Sequence, residues 1–270
     1  MAMNPTRRKL AIATWTAPSE GNIFGKLTVD AEEAEALLAH VRETTGEKVT
    51  ITHLVGKAVA MALAAAPGLN GRILWGKYVP HTTVDVTWLV ALEGGGDLAK
   101  AKVADADKRS LAEIAADLRG RAERLRGGKD PDFEKSKGAL RILPTWVLRP
   151  LVWFTGWLSG ALGVNVPALG VERFAFGSCV ITSVGMFGLD EGFAPMTPFA
   201  RVPVLILVGA VAPKPAVRDG ALCVRKQLTI TATIDHRFVD GMEAGRLAKI
   251  VRSTLEDPWT ALSVARPDRA

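Results

Sequence analysis

The run Thr233-Ile234-Asp235-His236-Arg237-Phe238-Val239-Asp240-Gly241 places a histidine where two periodicities meet. Upstream, Leu228, Ile230, Ala232 and Ile234 alternate with Thr229, Thr231 and Thr233, the pattern of a half-buried strand. Downstream, Met242, Ala244, Leu247, Ile250, Val251 and Leu255 recur at helical spacing until Pro258. His236 therefore stands at a strand-to-helix corner, where a side chain can leave the sheet and face a cleft. Imidazole titrates near neutral pH, so there it can take a proton as a general base. A lone corner histidine also reads as a loop residue without a task, and its surroundings must decide. His40 and His53 fall on helices and His81 in a loop; none has a partner nearby in sequence, and all three read as structural.

The rest of the chain supplies elements that could hold such a corner. Residues 23–29 read as a short strand. Asp30 with Glu33 has the form of a capping box opening a helix, with Ala34, Leu37, Leu38 and Val41 on one face. A second helix fits 52–66, with Leu54, Val55, Ala58, Met61, Ala62 and Ala65 inward and Pro67-Gly68 as its stop. Val84, Val86, Trp88, Val90 and Leu92 make 83–92 a strand, broken at Gly94-Gly95-Gly96. Ser110 and Glu113 form a second capping box before Leu111, Ile114, Ala115, Leu118, Ala122 and Leu125. A polar linker follows from Lys129 to Gly138. Residues 176–184 and 203–211 read as buried strands, with Asp219-Gly220 as a turn. Strands and helices neither alternate strictly nor segregate, so the class is α/β or α+β around one mostly buried sheet.

The composition narrows the functions open to such a chain. Its 270 residues suit one large domain or two small ones. The net charge of +6 favours an anionic ligand but lacks the Lys/Arg clusters of a nucleic-acid reader, so no nucleic-acid partner is expected. Cys179 and Cys223 have no metal-ligand spacing, which argues against a zinc site and suits a reducing cytoplasm. Arg7-Arg8 precedes an apolar run too short for an export signal. Residues 139–164 stand out: Trp146, Trp153 and Trp157 lie among many aliphatics, with Arg149-Pro150 interrupting them. Leu151 to Val164 falls short of the roughly 20 residues of a membrane helix. The segment is expected to form a buried helical hairpin or a subunit contact, with docking on a membrane surface as the less favoured alternative.

Several ordered stretches share a resemblance. His236 to Gly241 has the form His-x-x-x-Asp-Gly, preceded by Thr182-Ser183-Val184-Gly185-Met186-Phe187-Gly188. Before these come Asp107-Lys108-Arg109-Ser110-Leu111-Ala112-Glu113-Ile114 and Lys57-Ala58-Val59-Ala60-Met61-Ala62-Leu63 with Pro67-Gly68-Leu69-Asn70. From about residue 6 to 260 the chain resembles the catalytic domain of the dihydrolipoamide acyltransferases of 2-oxo acid dehydrogenase complexes. The resemblance implies a chloramphenicol acetyltransferase-like fold, a central mixed sheet flanked by helices, assembled as a homotrimer with sites between subunits and in many members as a larger cage. It implies a coenzyme A-dependent acyl transfer to a dihydrolipoamide-type thiol, with acyl-coenzyme A as substrate and no metal. His236 would be the base, and Thr182 the hydroxyl that stabilises the oxyanion, with Ser183 as backup. Asp240 would hold the histidine loop, with Arg8 as its candidate partner; an aspartate stabilised at a helix N-terminus fits as well. Gly241 would let the chain turn tightly into the helix.

Three departures from that family shape the expectation. The 270 residues hold no lipoyl domain, so the acceptor is expected to be a separate lipoyl-bearing protein or a small molecule. Glu93-Gly94-Gly95-Gly96-Asp97-Leu98 stands where the family has Thr-Pro-x-Gly-Leu. The Trp-rich stretch at about 139–170 reads as an insertion in an otherwise single catalytic domain covering 1–270. The alternatives are an acyltransferase of the same fold acting on another small molecule and a weakly active homologue that only builds the assembly.

Overall fold

The computed structural model describes residues 21–92, 97–127, 143–167 and 171–267. Arg8, the Glu93–Gly96 stretch and the linker from Lys129 to Gly138 lie outside them. In chain order the elements are β1 (Asn22–Asp30), α1 (Glu32–Thr45), α2 (Ile51–Ala65), β2 (Gly71–Leu74), β3 (Lys77–Pro80), β4 (Val86–Leu92) and β5 (Asp97–Val103). Then come α3 (Leu111–Arg126), α4 (Thr145–Gly156) with a π-helical continuation (Trp157–Leu162), β6 (Cys179–Ser183), β7 (Val204–Arg218), β8 (Ala221–Asp235), α5 (Gly241–Glu256) and α6 (Pro258–Ala261).

Six strands form one sheet in the order β1-β8-β7-β6-β4-β5. The two central pairings, β7 with β6 and β6 with β4, are parallel, and the outer ones antiparallel, so the sheet is mixed. One face packs against α1, α2, α3 and α5 in a single apolar core. Gly56 lets α2 approach β4, because a Cβ there would stand 2.1 Å from the Trp88 indole. A smaller cluster, Val180, Ala200, Val202 and Leu205, lies on the opposite face.

That second face corrects the half-buried reading of β8. Thr229, Thr231 and Thr233 are as buried as the leucines and isoleucines they alternate with. The segment after β6 folds back over them, and the Thr231 and Thr233 hydroxyls donate to the carbonyls of Gly192 and Ala194. Buried hydroxyls are tolerated once so paired. The alternation thus marked two different kinds of cover, apolar on one face and a carbonyl-lined segment on the other.

Helix ends follow their capping chemistry, with one exception. Ser110 and Glu113 form the expected reciprocal box at α3. Thr50 and His53 form another at α2, with Thr50 N–H donating to His53 Nδ1 at 3.2 Å. Asp30 and Glu33 do not: the Asp30 carboxylate accepts from Glu32 N–H at 3.0 Å, but α1 starts after Ala31 and Glu33 does not close the box. Glu33 is instead drawn to Trp259 Nε1 at 2.9 Å and to the Arg266 guanidinium, tying α1 to the C-terminal end.

The strands β2, β3 and β5 escaped the periodicity. The strands β2 and β3 form a hairpin whose two-residue turn, Trp75-Gly76, has φ of +52° and +72°. This left-handed pair normally takes Asn-Gly, and a tryptophan there hides the signal. The expected buried helical hairpin at 139–164 is, over the described part, one helix running into a π-helical turn. Only Leu148 and Gly156 of α4 are buried; Trp146 stands exposed, Trp153 is 36% exposed and Trp157, in the π-helical turn, is half-buried.

Candidate active site

The corner at His236 forms as the spacing predicts, between the end of β8 and the start of α5. His236 Nδ1 lies 2.6 Å from the Val239 carbonyl oxygen. A carbonyl only accepts, so Nδ1 carries the hydrogen and Nε2 keeps its lone pair, the tautomer a base requires. The ring stands exposed at the surface of the single chain.

The backbone of the corner is held from three sides. His236 N–H donates to the Gly21 carbonyl at 3.0 Å, Asp235 N–H to Pro203 at 2.9 Å, and Phe238 N–H to Asp235 at 3.1 Å. Around the histidine, Arg237 folds back onto the buried Asp235 carboxylate. Its Nε lies 2.9 and 3.1 Å from the two oxygens and a terminal nitrogen 2.5 Å from one of them, while its own N–H donates at 3.0 Å. This two-pronged clamp closes a ring of chain with His236 at its apex. The hairpin adds a buttress: Tyr78 meets the ring of Phe238 edge-on at 6.2 Å, and its hydroxyl donates to Pro67.

Asp240 caps α5. One carboxylate oxygen accepts from Met242 N–H at 2.9 Å and Glu243 N–H at 3.1 Å. Of the two roles open to it from sequence, helix capping is the one with contacts among the described residues. Gly241 is the first residue of the helix, and its Cβ position is open space.

Thr182 and Ser183 end β6 and point to opposite faces. Thr182 pairs with Leu207, which pairs with Thr231, so all three share the face away from the main helices. Ser183 follows Cys179 and Ile181 toward the helix-side core. Beyond β6 the chain makes a tight 3-10 turn, Gly185–Phe187. Gly209 admits the segment that follows this turn, because a Cβ there would stand 1.9 Å from the Asp190 carbonyl oxygen.

The register separates Thr182 from His236 within one chain. Thr182 lies in one row with Leu207 and Thr231, and His236 comes five residues after Thr231. That is about 16 Å along the strands and about 10 Å across them, on the order of 19 Å in all. No single small substrate group reaches both from one chain.

Near the corner, burial and the neighbouring Arg237 charge both lower the Arg201 pKa, so two guanidinium groups sit close together there. His53 and His81 are pushed down to about 4, mainly by burial, and so stay neutral. His81 lies edge-on to Phe174, and His40 stacks near Trp259. Burial pushes the Cys179 thiol far up. Among the described residues no group of three or more His, Cys, Asp or Glu is placed to hold a metal. Sequence reasoning did not find the Arg237–Asp235 clamp, the Val239 carbonyl or the hairpin buttress. The signal for the clamp was present as an acid and a base two positions apart around the histidine.

The structure sets a corner histidine and a strand-end hydroxyl on a mixed sheet, and comparison with known proteins shows an acyltransferase domain. The family model of the 2-oxoacid dehydrogenases acyltransferase (catalytic domain) matches residues 4–140 and 167–263. The chain belongs to that family. The match passes over 141–166, the residues that carry α4 and its π-helical end. The chain is 26% identical over 218 residues to the dihydrolipoyllysine-residue acetyltransferase component of the acetoin cleaving system of Bacillus subtilis, covering 80% of this chain and 44% of that protein. It is 26% identical over 232 residues to the dihydrolipoyllysine-residue succinyltransferase component of the 2-oxoglutarate dehydrogenase complex of Haemophilus influenzae, covering 82% and 46%. It thus spans about half the length of such relatives or less. The fold is that of a probable dihydrolipoamide acetyltransferase from Listeria monocytogenes, with a TM-score of 0.69 at 19% identity over 100% of this chain and 97% of that one. A chloramphenicol acetyltransferase aligns with a TM-score of 0.50 at 13% identity, covering 93% and 95%.

Proposed function

We propose that this chain moves an acyl group between coenzyme A and a thiol of the dihydrolipoamide type, with His236 as general base. The observation that carries this reading is the Nδ1 contact to the Val239 carbonyl, which leaves Nε2 ready to accept a proton. A thiol with a pKa near 8 to 9 is weakly nucleophilic until deprotonated. His236 takes its proton as the sulfur attacks the thioester carbonyl, and a tetrahedral oxyanion forms. The Thr182 hydroxyl donates to that oxyanion. Collapse breaks the bond to the coenzyme A sulfur, which takes the proton back from His236. Ser183 faces the other way and has no part in this scheme.

Each site is built by two copies, His236 from one and Thr182 from its neighbour. Their separation within a chain supports this. So does the exposed apolar strip of Phe24, Met186, Phe187, Leu189 and Phe193, which another copy would cover. A homotrimer is the simplest ring that repeats such a contact, and a larger cage would follow from further contacts. The cubic core of a pyruvate dehydrogenase complex shares the fold at a TM-score of 0.70 and 20% identity, over 97% of this chain and 93% of that one. Residues 1–270 would form one catalytic domain interrupted at about 139–170, working in the cytoplasm on a lipoyl-borne thiol. Arg201, Arg237 and the net charge of +6 suit a phosphate-bearing substrate.

The test offers the purified chain acetyl-coenzyme A with dihydrolipoamide, a lipoylated domain, or simple alcohols and amines, beside His236→Ala. Acetylation of the dithiol is expected, with kcat falling roughly 10²- to 10⁴-fold in the variant. Acetylation of alcohols or amines alone would instead favour a small-molecule acyltransferase, the reading that Glu93-Gly94-Gly95-Gly96 supports. No acylation of any acceptor, or full activity of His236→Ala, overturns the catalytic reading.

A further inference from the structure

The chain just before β7 carries a cation to which the proposed chemistry gives no task of its own. Arg201 has a left-handed backbone, with φ of +53°. Residues with long side chains are uncommon there, and strain of this kind gathers at functional positions. The inner side of α4 seats this segment. At Gly156 a Cβ would stand 2.4 Å from the Phe199 carbonyl oxygen. At Gly160, in the π-helical turn, it would stand 3.0 Å from Arg201 Cβ and 3.3 Å from its Cδ. Both glycines fall in 141–166, the residues that the family match passes over. The insertion is thus a shelf for the stem of Arg201, while the residue as a whole stays open to solvent.

The strand register sets Arg201 beside the His236 corner. Val204 pairs with Ile234, and the Pro203 carbonyl accepts from Asp235 N–H at 2.9 Å. Two residues further along each chain, Arg201 falls opposite Arg237. Strands lie about 5 Å apart and residues about 3.4 Å along them, so the Cα atoms of Arg201 and His236 are on the order of 6 Å apart. Like charges directly opposite each other destabilise a sheet. Arg237 has the Asp235 carboxylate to offset its charge. Arg201 has no such partner: burial and then the Arg237 charge lower its pKa, and among the described residues no carboxylate raises it.

We infer that Arg201 receives a free carboxylate on the acyl group, so that the donor is the coenzyme A thioester of a short dicarboxylic acid. This rests on the transfer proposed above, with His236 beside the thioester. A carboxylate two methylenes from the thioester carbon comes within reach of an arginine next to that histidine. A guanidinium grips such a group with two parallel hydrogen bonds. The phosphates of coenzyme A suit an arginine too, but they stand at the far end of the pantetheine arm from the sulfur. The transfer itself is unchanged. The thiol sulfur bonds to the thioester carbon, the coenzyme A sulfur leaves with the proton, and the carboxylate stays ionised throughout.

The experiment compares kcat/KM for succinyl-, butyryl- and acetyl-coenzyme A with dihydrolipoamide as acceptor, in the full chain and in Arg201→Asn. Succinyl and butyryl have the same chain length and differ in charge, and all three donors carry the same phosphates. Asparagine tolerates the left-handed backbone, so the fold should hold. The parent is expected to favour succinyl over butyryl by about tenfold or more, as a hydrogen-bonded charge pair would give. Arg201→Asn should lower that ratio at least about tenfold, at the parental Tm and solution mass. Transfer of none of the three acyl groups overturns the acyltransferase reading and this inference with it. Transfer without preference for succinyl, or a variant that keeps the parental ratio, overturns this inference alone. A fall in solution mass of the variant also overturns it, because Arg201 would then be holding a neighbouring copy.

Discussion

His236 is kept in one tautomer by a carbonyl three residues on, so the geometry of the loop sets its chemistry. The loop in turn depends on Arg237 gripping Asp235 with both prongs of the guanidinium. A lysine keeps the charge but not the fork. Arg237→Lys is therefore expected to lower kcat by about 10- to 100-fold, as small misplacements of a catalytic group do, while KM stays nearly constant. Steady-state kinetics with a thiol acceptor decide it, and an unchanged kcat removes the clamp from the mechanism. His53 offers a separate test, in stability. Burial and Arg42 hold its pKa at about 4, below the unfolded value of about 6.5. The unfolded chain therefore binds the proton first on acidification. Stability is full above about pH 6.5 and is lost as pH falls toward 4. Protonation also removes the acceptor for Thr50 N–H. Glutamine can serve at the same position of a capping box. His53→Gln should leave the neutral-pH Tm in place and flatten part of the acid slope in thermal melts; His81, and at lower pH the salt-bridged Asp30 and Glu172, would supply the slope that is left. An unaltered acid limb would show that His53 is not responsible.

At the scale of elements, Asp240 links the corner to α5 by accepting from two N–H groups of its first turn. Asparagine can make the same contacts without the charge. Asp240→Ala is expected to cost about 1 kcal/mol, with reduced activity as the corner loosens, whereas Asp240→Asn should keep most of both. If the asparagine variant is as inactive as the alanine one, the charge matters, and pairing with an arginine such as Arg8 regains the lead. The sequence showed this corner well, because period-2 and period-3.6 patterns meet there without ambiguity. It showed α2, α3 and the buried strands for the same reason. It did not show the hairpin at 71–80, whose turn pair is Trp-Gly, nor β5, whose Lys100 and Lys102 contact Glu172 far along the chain. The Asp30–Glu33 pattern misled because Trp259 and Arg266, more than two hundred residues away, claim the glutamate. Local signals fail where a distant partner outbids the local one.

The candidate site is legible in sequence as a set of residue types, but the proposal that two copies share it rests on the register. Thr182 and His236 are separated by two strand spacings and by the five positions from Thr231 to His236, and nothing in either motif reveals that. The consequence can be measured. Thr182→Ala alone should lose about 10²- to 10³-fold in kcat, as removal of one oxyanion donor does, and His236→Ala at least as much. Unfolding and refolding the two variants together would give mixed assemblies in which some sites pair the intact threonine of one copy with the intact histidine of the next. Random mixing should restore about one quarter of the parental sites, since each site draws two independent halves. The solution mass should match the parent and exceed that of one chain. If both residues served one site within a chain, every site in the mixture would carry a defect, and activity would stay at the average of the two variants. Recovery well above that average fixes the site at the contact between copies.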